Sequence, residues 1–540
     1  MPSLTNLPER HVAIDRRAGH YLCFPDVAHG GDGGLLCVYN EFDRHVGTRR
    51  RMMLKRSEDN GKTWDAARML CALESHCPRI SRLSDGLLVI ADDALPGLYF
   101  SADCGRTWTQ QPGAGLGHGL LDHVLELSPE VLLTAGHLHR GTQPQPKIRQ
   151  APTEQMAYRS LNRGRHWEPF SIIANEKCLV LCEASIIRLP EGPAAAQDKP
   201  RLLALMRENS FVGEPMYCCL SEDGGATWGS PKPTPLIGHR PTLGWTHSGK
   251  LLVTYRDVGP DPGTKAWLGT LDELCSDFAV HGLHSDNNPK RTPGGLLVQN
   301  EAGPPIGQSG PVRYALRPLT DPEFATASLE VEVLVRDCDI NGCGLYLGQW
   351  WKLYPDCIVP DFDRDSSGNP VLHIGLKQGD FHTIRVDYEP GLCHLFVDDK
   401  PCGSYSVDKM CGNTRPILVG TISRQGDNAC EALWRRISLT TDEPRLGRHY
   451  QWSWDHTSGQ LPDAWIDSRV LELQNDRQAS PSDFGYSGWV ELCNPAKGPG
   501  AEGAGDFLCV YHHGGGAAPD YREGYSSHVA GTWFSESDFR

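Results

Sequence analysis

The chain has no excess of positive charge, no long apolar run, no apolar leader and no paired cysteine spacing. Its formal net charge is -15, so no basic face is available to release counterions from phosphates, which excludes a nucleic-acid partner. No stretch approaches the length of a membrane span, and no membrane partner is expected. The first residues, MPSLTNLPERHVAIDRR, carry charges early and do not read as a signal peptide. The 19 cysteines contain no CxxC pair and are scattered through apolar text such as GLLCVY and DFLCVY. They read as reduced, buried thiols of a cytoplasmic protein rather than a disulfide framework. No cofactor and no metal are expected. His137-x-His139 lacks a fixed third ligand. Asp337, Asp339, Asn341 and Gly342 mimic the start of a calcium loop, but its twelfth position is Gly348 rather than Glu, so they read as a plain turn.

Turns, in contrast, are plentiful. The 540 residues include 58 Gly and 40 Pro, and the length suits two or three domains rich in short strands. One motif recurs as Ser57-Glu-Asp59-Asn-Gly61-Lys-Thr63-Trp64, Ser101-Ala-Asp103-Cys-Gly105-Arg-Thr107-Trp108 and Ser221-Glu-Asp223-Gly-Gly225-Ala-Thr227-Trp228. A weaker copy, Ser160 to Trp167, has Asn162 in the Asp place. In S-x-D-x-G-x-x-W, Ser and Asp can bond the turn's own backbone, Gly supplies positive φ, and Trp packs between sheets. Repetition of this kind marks stacked supersecondary units.

A second repeat interleaves with the first. Gly33-Gly34-Leu35-Leu36, Asp85-Gly86-Leu87-Leu88, Glu130 to Leu133, Arg201 to Leu203, Gly249 to Leu252 and Gly505 to Leu508 each suit the first hairpin of a four-stranded blade. Six units predict six blades, the last closing near the N-terminus. The spacing breaks between Glu273 and Ser482. From Leu329, strand-like text (LEVEVLVRDCD, VLHIGLK, FHTIRVDYE) alternates with Gly/Asp turns and suggests an antiparallel sandwich. The fold expected is all-β, a six-bladed β-propeller with a β-sandwich inserted between blades five and six. Blades one to five occupy 1–285, the sandwich 290–445, and blade six with the closure 450–540.

The S-x-D-x-G-x-x-W turns resemble the Asp box (BNR repeat) of the sialidase, or neuraminidase, superfamily, in which the turn is structural and lies away from the active site. FHTIRVDYEPGLCHLFVDDKPCG resembles the closing hairpins of concanavalin-like (laminin-G-like) jelly rolls. Three further matches to sialidases concern the site. Glu183 in CEASIIRLPEG resembles the family Glu that activates the nucleophile. Arg207 in LLALMREN resembles one arginine of a carboxylate-binding triad. Tyr486 in FGYSGWVEL resembles the tyrosine nucleophile. A neutral phenol attacks poorly at pH 7, so a buried carboxylate that accepts its proton is needed beside it. Tyrosine nucleophiles are the sialidase exception to two-carboxylate glycosidases.

The sequence also departs from that pattern. Cys23-Phe24-Pro25 stands where sialidases carry Arg-Ile-Pro, so one triad arginine is missing. Arg79 is a candidate replacement, and Arg240 and Arg256 compete for the third place. Asp43 is the best-placed acid/base, with Asp26 and His45 as rivals. Aligning the six repeats brings these residues, with His123 and His239, to one mouth of the channel. The resemblance implies an exo-α-sialidase-like glycoside hydrolase acting on a carbohydrate partner that ends in an acidic sugar. Two alternatives stay open. One is a hydrolase or lyase on uronate-containing glycans with His123 or His45 as acid/base; the other is a non-catalytic glycan-binding propeller. The sugar, the linkage and the oligomeric state are not fixed by the sequence.

Overall fold

A computed structural model describes residues 1–93, 97–139, 153–176, 178–190, 199–285, 287–300, 310–361, 373–407, 415–423, 428–492, 505–515 and 519–539. Its strands form six four-stranded antiparallel sheets and two larger ones. Blades one to four are local in sequence, with inner strands Tyr21–His29, Arg79–Arg82, Leu125–Ser128 and Leu181–Arg188. Their interiors are nearly continuous apolar text, as in Leu202–Glu208, because each sheet is covered on both faces by its neighbours. Blade six is closed by the N-terminal strand His11–Asp15, which pairs with His528–Ser535. This ties the two ends of the chain together in one sheet.

The S-x-D-x-G-x-x-W turns join the third strand of a blade to its fourth. In the first copy Gly61 N donates to Ser57 Oγ at 2.8 Å and Thr63 N to Asp59 Oδ1 at 2.8 Å. Trp64 Nε1 donates to Gly61 O at 2.9 Å. The Ser and Asp bonds recur around Asp103 and Asp223, and Asn162 accepts from His166 N at 2.9 Å in the weaker copy. Trp108 Nε1 donates to Gly105 O at 3.0 Å, while Trp228 Nε1 donates to Ser171 Oγ at 3.1 Å. A Cβ on Gly61 would sit 2.5 Å from Leu508 of the adjoining blade, so glycine also permits the blades to close up.

The position of the insertion differs from expectation. Blade five runs His239–Trp245, Leu251–Asp257, Gly263–Gly269, and its fourth strand is Val470–Asn475. The extra residues therefore interrupt blade five between its third and fourth strands, rather than separating blade five from blade six. Val470, Leu471 and Leu473 are buried in the blade, and Trp267 pairs with Val470. The blade would expose the edge of Gly263–Gly269 without this late strand. The inserted strands also begin earlier and end later than 290–445, from His281 to Asp455.

Within the insert, two antiparallel sheets share one apolar core. Leu329, Val331, Ile384 and Val386 come from one sheet, and Leu345, Trp351, Ile417 and Val419 from the other. The alternating burial of His382–Glu389 shows one face turned to that core and one turned away. Asp339 to Gly342 forms the expected turn, with Gly342 N donating to Asp339 O at 2.9 Å. No helix among the described residues is long and apolar enough to cross a membrane.

Candidate active site at the propeller mouth

Each inner strand is entered through one left-handed residue. The six are Phe24 (φ 53°), Cys77 (52°), Leu120 (49°), Glu183 (48°), Arg240 (47°) and Gly485 (84°). Five carry side chains where L-residues seldom rest, and such clustering is typical of functional sites. In blades one, four and five the kink coincides with a register shift, between Cys23 and Asp26, Cys182 and Ser185, and His239 and Thr242. Two residues beyond each kink lie Asp26, Arg79, Asp122, Ser185, Thr242 and Ser487, which sew neighbouring blades together. Asp26 Oδ2 accepts from Ile80 N at 2.8 Å, Asp122 Oδ2 from Ile186 N at 2.7 Å, and Ser185 Oγ from Leu243 N at 3.2 Å. Thr242 Oγ1 donates to Ser487 O at 2.6 Å.

This phase decides which candidates meet. Phe24, Glu183 and Arg240 take equivalent places in the repeats of blades one, four and five, while in blade six Tyr486 lies one residue beyond the kink at Gly485. In blades two and three the kink falls at Cys77 and Leu120, so Arg79, Asp122 and His123 belong to the ring between blades. Arg79 Nη1 donates to Ser487 O at 2.9 Å and lies 3.7 Å from Asp26. His123 Nε2 lies 2.8 Å from Asp26 Oδ2, and its Nδ1 lies 3.3 Å from Asp122 Oδ1. Burial opposes its charge, but the two carboxylates raise its pKa to about 9, so it is held as a cation. Asp26 is ionised for the reciprocal reason: burial raises its pKa, and His123 and Arg79 more than reverse that.

Glu183, Arg207 and Tyr486 do converge, although 303 residues separate Glu183 from Tyr486. Tyr486 OH donates to Glu183 Oε1 at 2.5 Å. Arg207 Nη1 donates to the same Oε1 and to the phenol oxygen, both at 2.7 Å. The trio is buried, with Tyr486 and Arg207 each 7% exposed and Glu183 2%. Burial alone would raise the Glu183 carboxyl. The charges of Arg207 and Arg240 and the bonds from Arg207 and Tyr486 instead hold it well below the usual carboxylate range. Burial lifts the Tyr486 phenol above its ordinary value; Arg207 opposes this and Glu183 adds to it. The resting pair is thus a neutral phenol on a carboxylate. Glu183 Oε2 has no hydrogen-bond partner among the described residues.

Two more arginines flank the trio. The Arg256 guanidinium lies 4.6 Å from the Tyr486 ring centre, donates to Pro481 O, and meets His239 Nδ1 at 3.0 Å. Arg240 donates to Leu121 O at 2.9 Å and to Leu120 O at 3.5 Å. Among the described residues neither has a carboxylate within ion-pair distance, and both are buried. The Glu183 charge is shared among Arg207, Arg240 and Arg256, so one carboxylate serves three buried cations. The mouth is therefore built with positive charge to spare. His239 is buried beside Arg207 and Arg256, which hold it neutral.

Phe24 packs on Tyr486 with ring centres 5.0 Å apart, and His512 lies edge-on to both. His45 Nδ1 meets Tyr21 OH at 3.1 Å, and burial keeps its pKa below the usual imidazole value. Asp43 sits in the loop after Leu35–Phe42, where its Oδ1 accepts from Arg49 N at 3.2 Å. Several groups went unnoticed in the sequence. His76 Nδ1 lies 2.9 Å from Asp93 Oδ1, and its ring packs 5.2 Å from Phe24. Arg207 Nη2 donates to Asn209 Oδ1. Phe211 is 53% exposed and lies 4.7 Å from the His239 ring.

The loop carrying Asn209 and Phe211 is fastened by the insert. Arg415 Nη2 donates to Glu214 Oε1 at 2.5 Å, and each side chain is 2% exposed. Tyr217 OH donates to Glu214 Oε2 at 3.0 Å, and Arg448 Nη1 donates to Tyr217 OH at 3.1 Å. The insert therefore reaches to within one loop of Arg207.

No family model matches the chain, and no curated sequence matches it. Among solved structures, a protein of unknown function from Dyadobacter fermentans is similar over 98% of this chain and 98% of its own, with 12% identity and a TM-score of 0.47. Trypanosoma rangeli sialidase in complex with sialic acid is similar over 79% of this chain and 83% of its own, at 13% identity and 0.33. An α-L-arabinanase of Penicillium chrysogenum complexed with arabinobiose covers 48% of this chain and 82% of its own, at 16% identity and 0.35. The six-bladed form itself is read from this chain's own strand order.

Proposed function

We propose that this protein is a glycoside hydrolase that removes a terminal acidic sugar, sialic acid or a related sugar acid, from a glycoconjugate or oligosaccharide. The observation carrying the reading is the buried Tyr486–Glu183–Arg207 triangle flanked by Arg240 and Arg256. A sugar carboxylate supplies the anion that these arginines lack, through charge-assisted and partly bidentate contacts. Tyr486 then attacks the anomeric carbon as the bond to the aglycone oxygen breaks, and its phenol proton passes to Glu183. Arg207 touches both oxygens of that transfer. When it turns toward the substrate carboxylate, Glu183 loses its strongest counter-charge and becomes a better base. His76, paired with Asp93 and packed beside Phe24, is the group from which the departing oxygen takes its proton. Water then cleaves the tyrosyl–sugar bond.

The test is a hydrolysis screen of aryl sialosides, aryl uronides and neutral aryl glycosides, with the absorbance of unsaturated uronate followed in parallel. Cleavage of an acidic sugar, trapping of a fluorinated analogue on Tyr486, and loss of trapping in Tyr486→Phe are expected. Release of unsaturated uronate with Tyr486→Phe still active would establish the histidine-based lyase instead. Glycan binding without turnover would leave a lectin.

A further inference from the structure

Outside the mouth, two thiols from different blades face each other. Cys218 Sγ and Cys275 Sγ are 3.6 Å apart, at positions 57 apart in sequence. Cys218 lies in Tyr217–Ser221, the third strand of blade four, directly across from Lys232. Cys275 caps the short helix Leu271–Leu274, through which the chain leaves blade five for the insert. That helix is itself held by a capping box between Thr270 and Glu273. Cys218 is buried and Cys275 partly exposed. An oxidant thus reaches Cys275 first, with Cys218 already in contact behind it.

The local chemistry separates the two sulfurs. The hydrogen bond from Cys218 lowers the pKa of Cys275; burial opposes this and Lys232 assists it. The Cys218 thiol is pushed well up by that same bond and by burial. The attacking and resolving positions of a redox pair differ in this way. Among the described residues, Cys343 and Cys430 in the core of the insert are a second thiol pair, 1% and 2% exposed, and the hydrogen bond between them, with burial, pushes the Cys343 thiol up.

We propose that Cys275 and Cys218 are a modification site, a thiol pair that a peroxide closes into an inter-blade disulfide. The Cys275 thiolate attacks one peroxide oxygen, the O–O bond breaks, and the departing oxygen takes a proton to leave as water. The resulting sulfenic acid is attacked by Cys218, which expels a second water as the S–S bond forms. In sum two thiols and one hydrogen peroxide give one disulfide and two waters. The sulfurs must approach by about 1.5 Å to reach a normal S–S length. The bond would pin the stem of the insert to blade four, whose third strand starts at Tyr217 beside the Glu214–Arg415 contact.

The experiment treats the full chain with one to five equivalents of hydrogen peroxide, blocks the remaining thiols with N-ethylmaleimide, and maps peptides without reduction. The expected result is a loss of two hydrogens, a linked peptide joining Cys218 to Cys275, and a Tm several degrees higher that returns with dithiothreitol. Cys218→Ser should leave Cys275 as a sulfenic acid captured by dimedone. A freely alkylated Cys275 after peroxide treatment would overturn the proposal. So would a Cys343–Cys430 disulfide forming while Cys218 and Cys275 stay reduced. The wild-type map alone decides between these results, so a poorly folding variant does not obscure them.

Discussion

Replacing Arg415 with Met should destabilise the protein out of proportion to the size of the change. Arg415 is 1% exposed and donates to Glu214 at 2.5 Å and to Leu319 O at 2.9 Å. Met fills most of its volume but leaves the buried Glu214 carboxyl without its cation, bonded by Tyr217 OH. Removing one partner of a buried pair costs about 3–5 kcal/mol. Replacing both, as in Arg415→Met with Glu214→Gln, should recover about half, because no bare charge remains. Two other carboxylates sharpen the test. Glu208 and Glu443 already have raised pKa values: burial is the first cause in each, Glu214 adds to both, and Arg415 pulls Glu208 back. A carboxyl whose folded pKa lies above its unfolded value loses stabilisation as pH rises between the two. The deficit of Arg415→Met should therefore be smaller at pH 5 than at pH 7.5. Urea unfolding of the four proteins of the cycle at both pH values measures each quantity. A single-variant cost below about 1 kcal/mol, or a deficit that grows toward acid, would refute the reasoning. The first would make the pair behave like a surface contact, and the second would assign the loss to something other than stranded carboxylates.

Three further outcomes are expected. Asp59→Ala and Asp223→Ala should each lower Tm, at a cost of about 1 kcal/mol per turn, and leave turnover per folded molecule normal, measured by calorimetry and a hydrolysis assay. His123, with its pKa raised to about 9, should contribute stability that is complete below its unfolded value and lost as pH rises through 9. His123→Gln should flatten that loss in Tm scans from pH 6 to 10. Gly485→Ala should abolish activity and lower Tm, because its φ is 84° and a Cβ there would lie 2.6 Å from the Arg256 Cβ.

What could be seen from the sequence was whatever the chain does locally. A turn such as Ser57 to Trp64 satisfies itself with its own hydrogen bonds, so its residue types state its shape. Glu183 and Arg207 were legible as a pair because they lie on adjacent strands, where Cys182 faces Arg207. Tyr486 was legible through its own text, Tyr-Ser at the start of the strand Ser487–Glu491, and Gly485 before it takes the positive φ of the kink freely. In blades two and three that kink falls on Cys77 and Leu120, residue types that do not announce a left-handed turn. With Glu183 and Arg240 as the reference, the repeats run two residues late at Arg79 and three at His123, which places both at the mouth instead of in the ring between blades. The slip of two in blade two preserves the alternation of faces, so apolar patterning does not reveal it. The late strand Val470–Asn475 was hidden for a related reason. An outermost strand needs neither the Leu-Leu turn nor a mouth residue, only an edge to cover, and its partner Gly263–Gly269 lies some two hundred residues earlier. Arg415 acts through a contact that only tertiary closure creates, since the insert brings it to Glu214, whereas His76 and Asn209 meet Asp93 and Arg207 within one blade but carry no repeat or motif that marks them. The candidate site residues are thus set by strand register, which local sequence encodes. The residues that hold them in place are set by tertiary closure, which it does not.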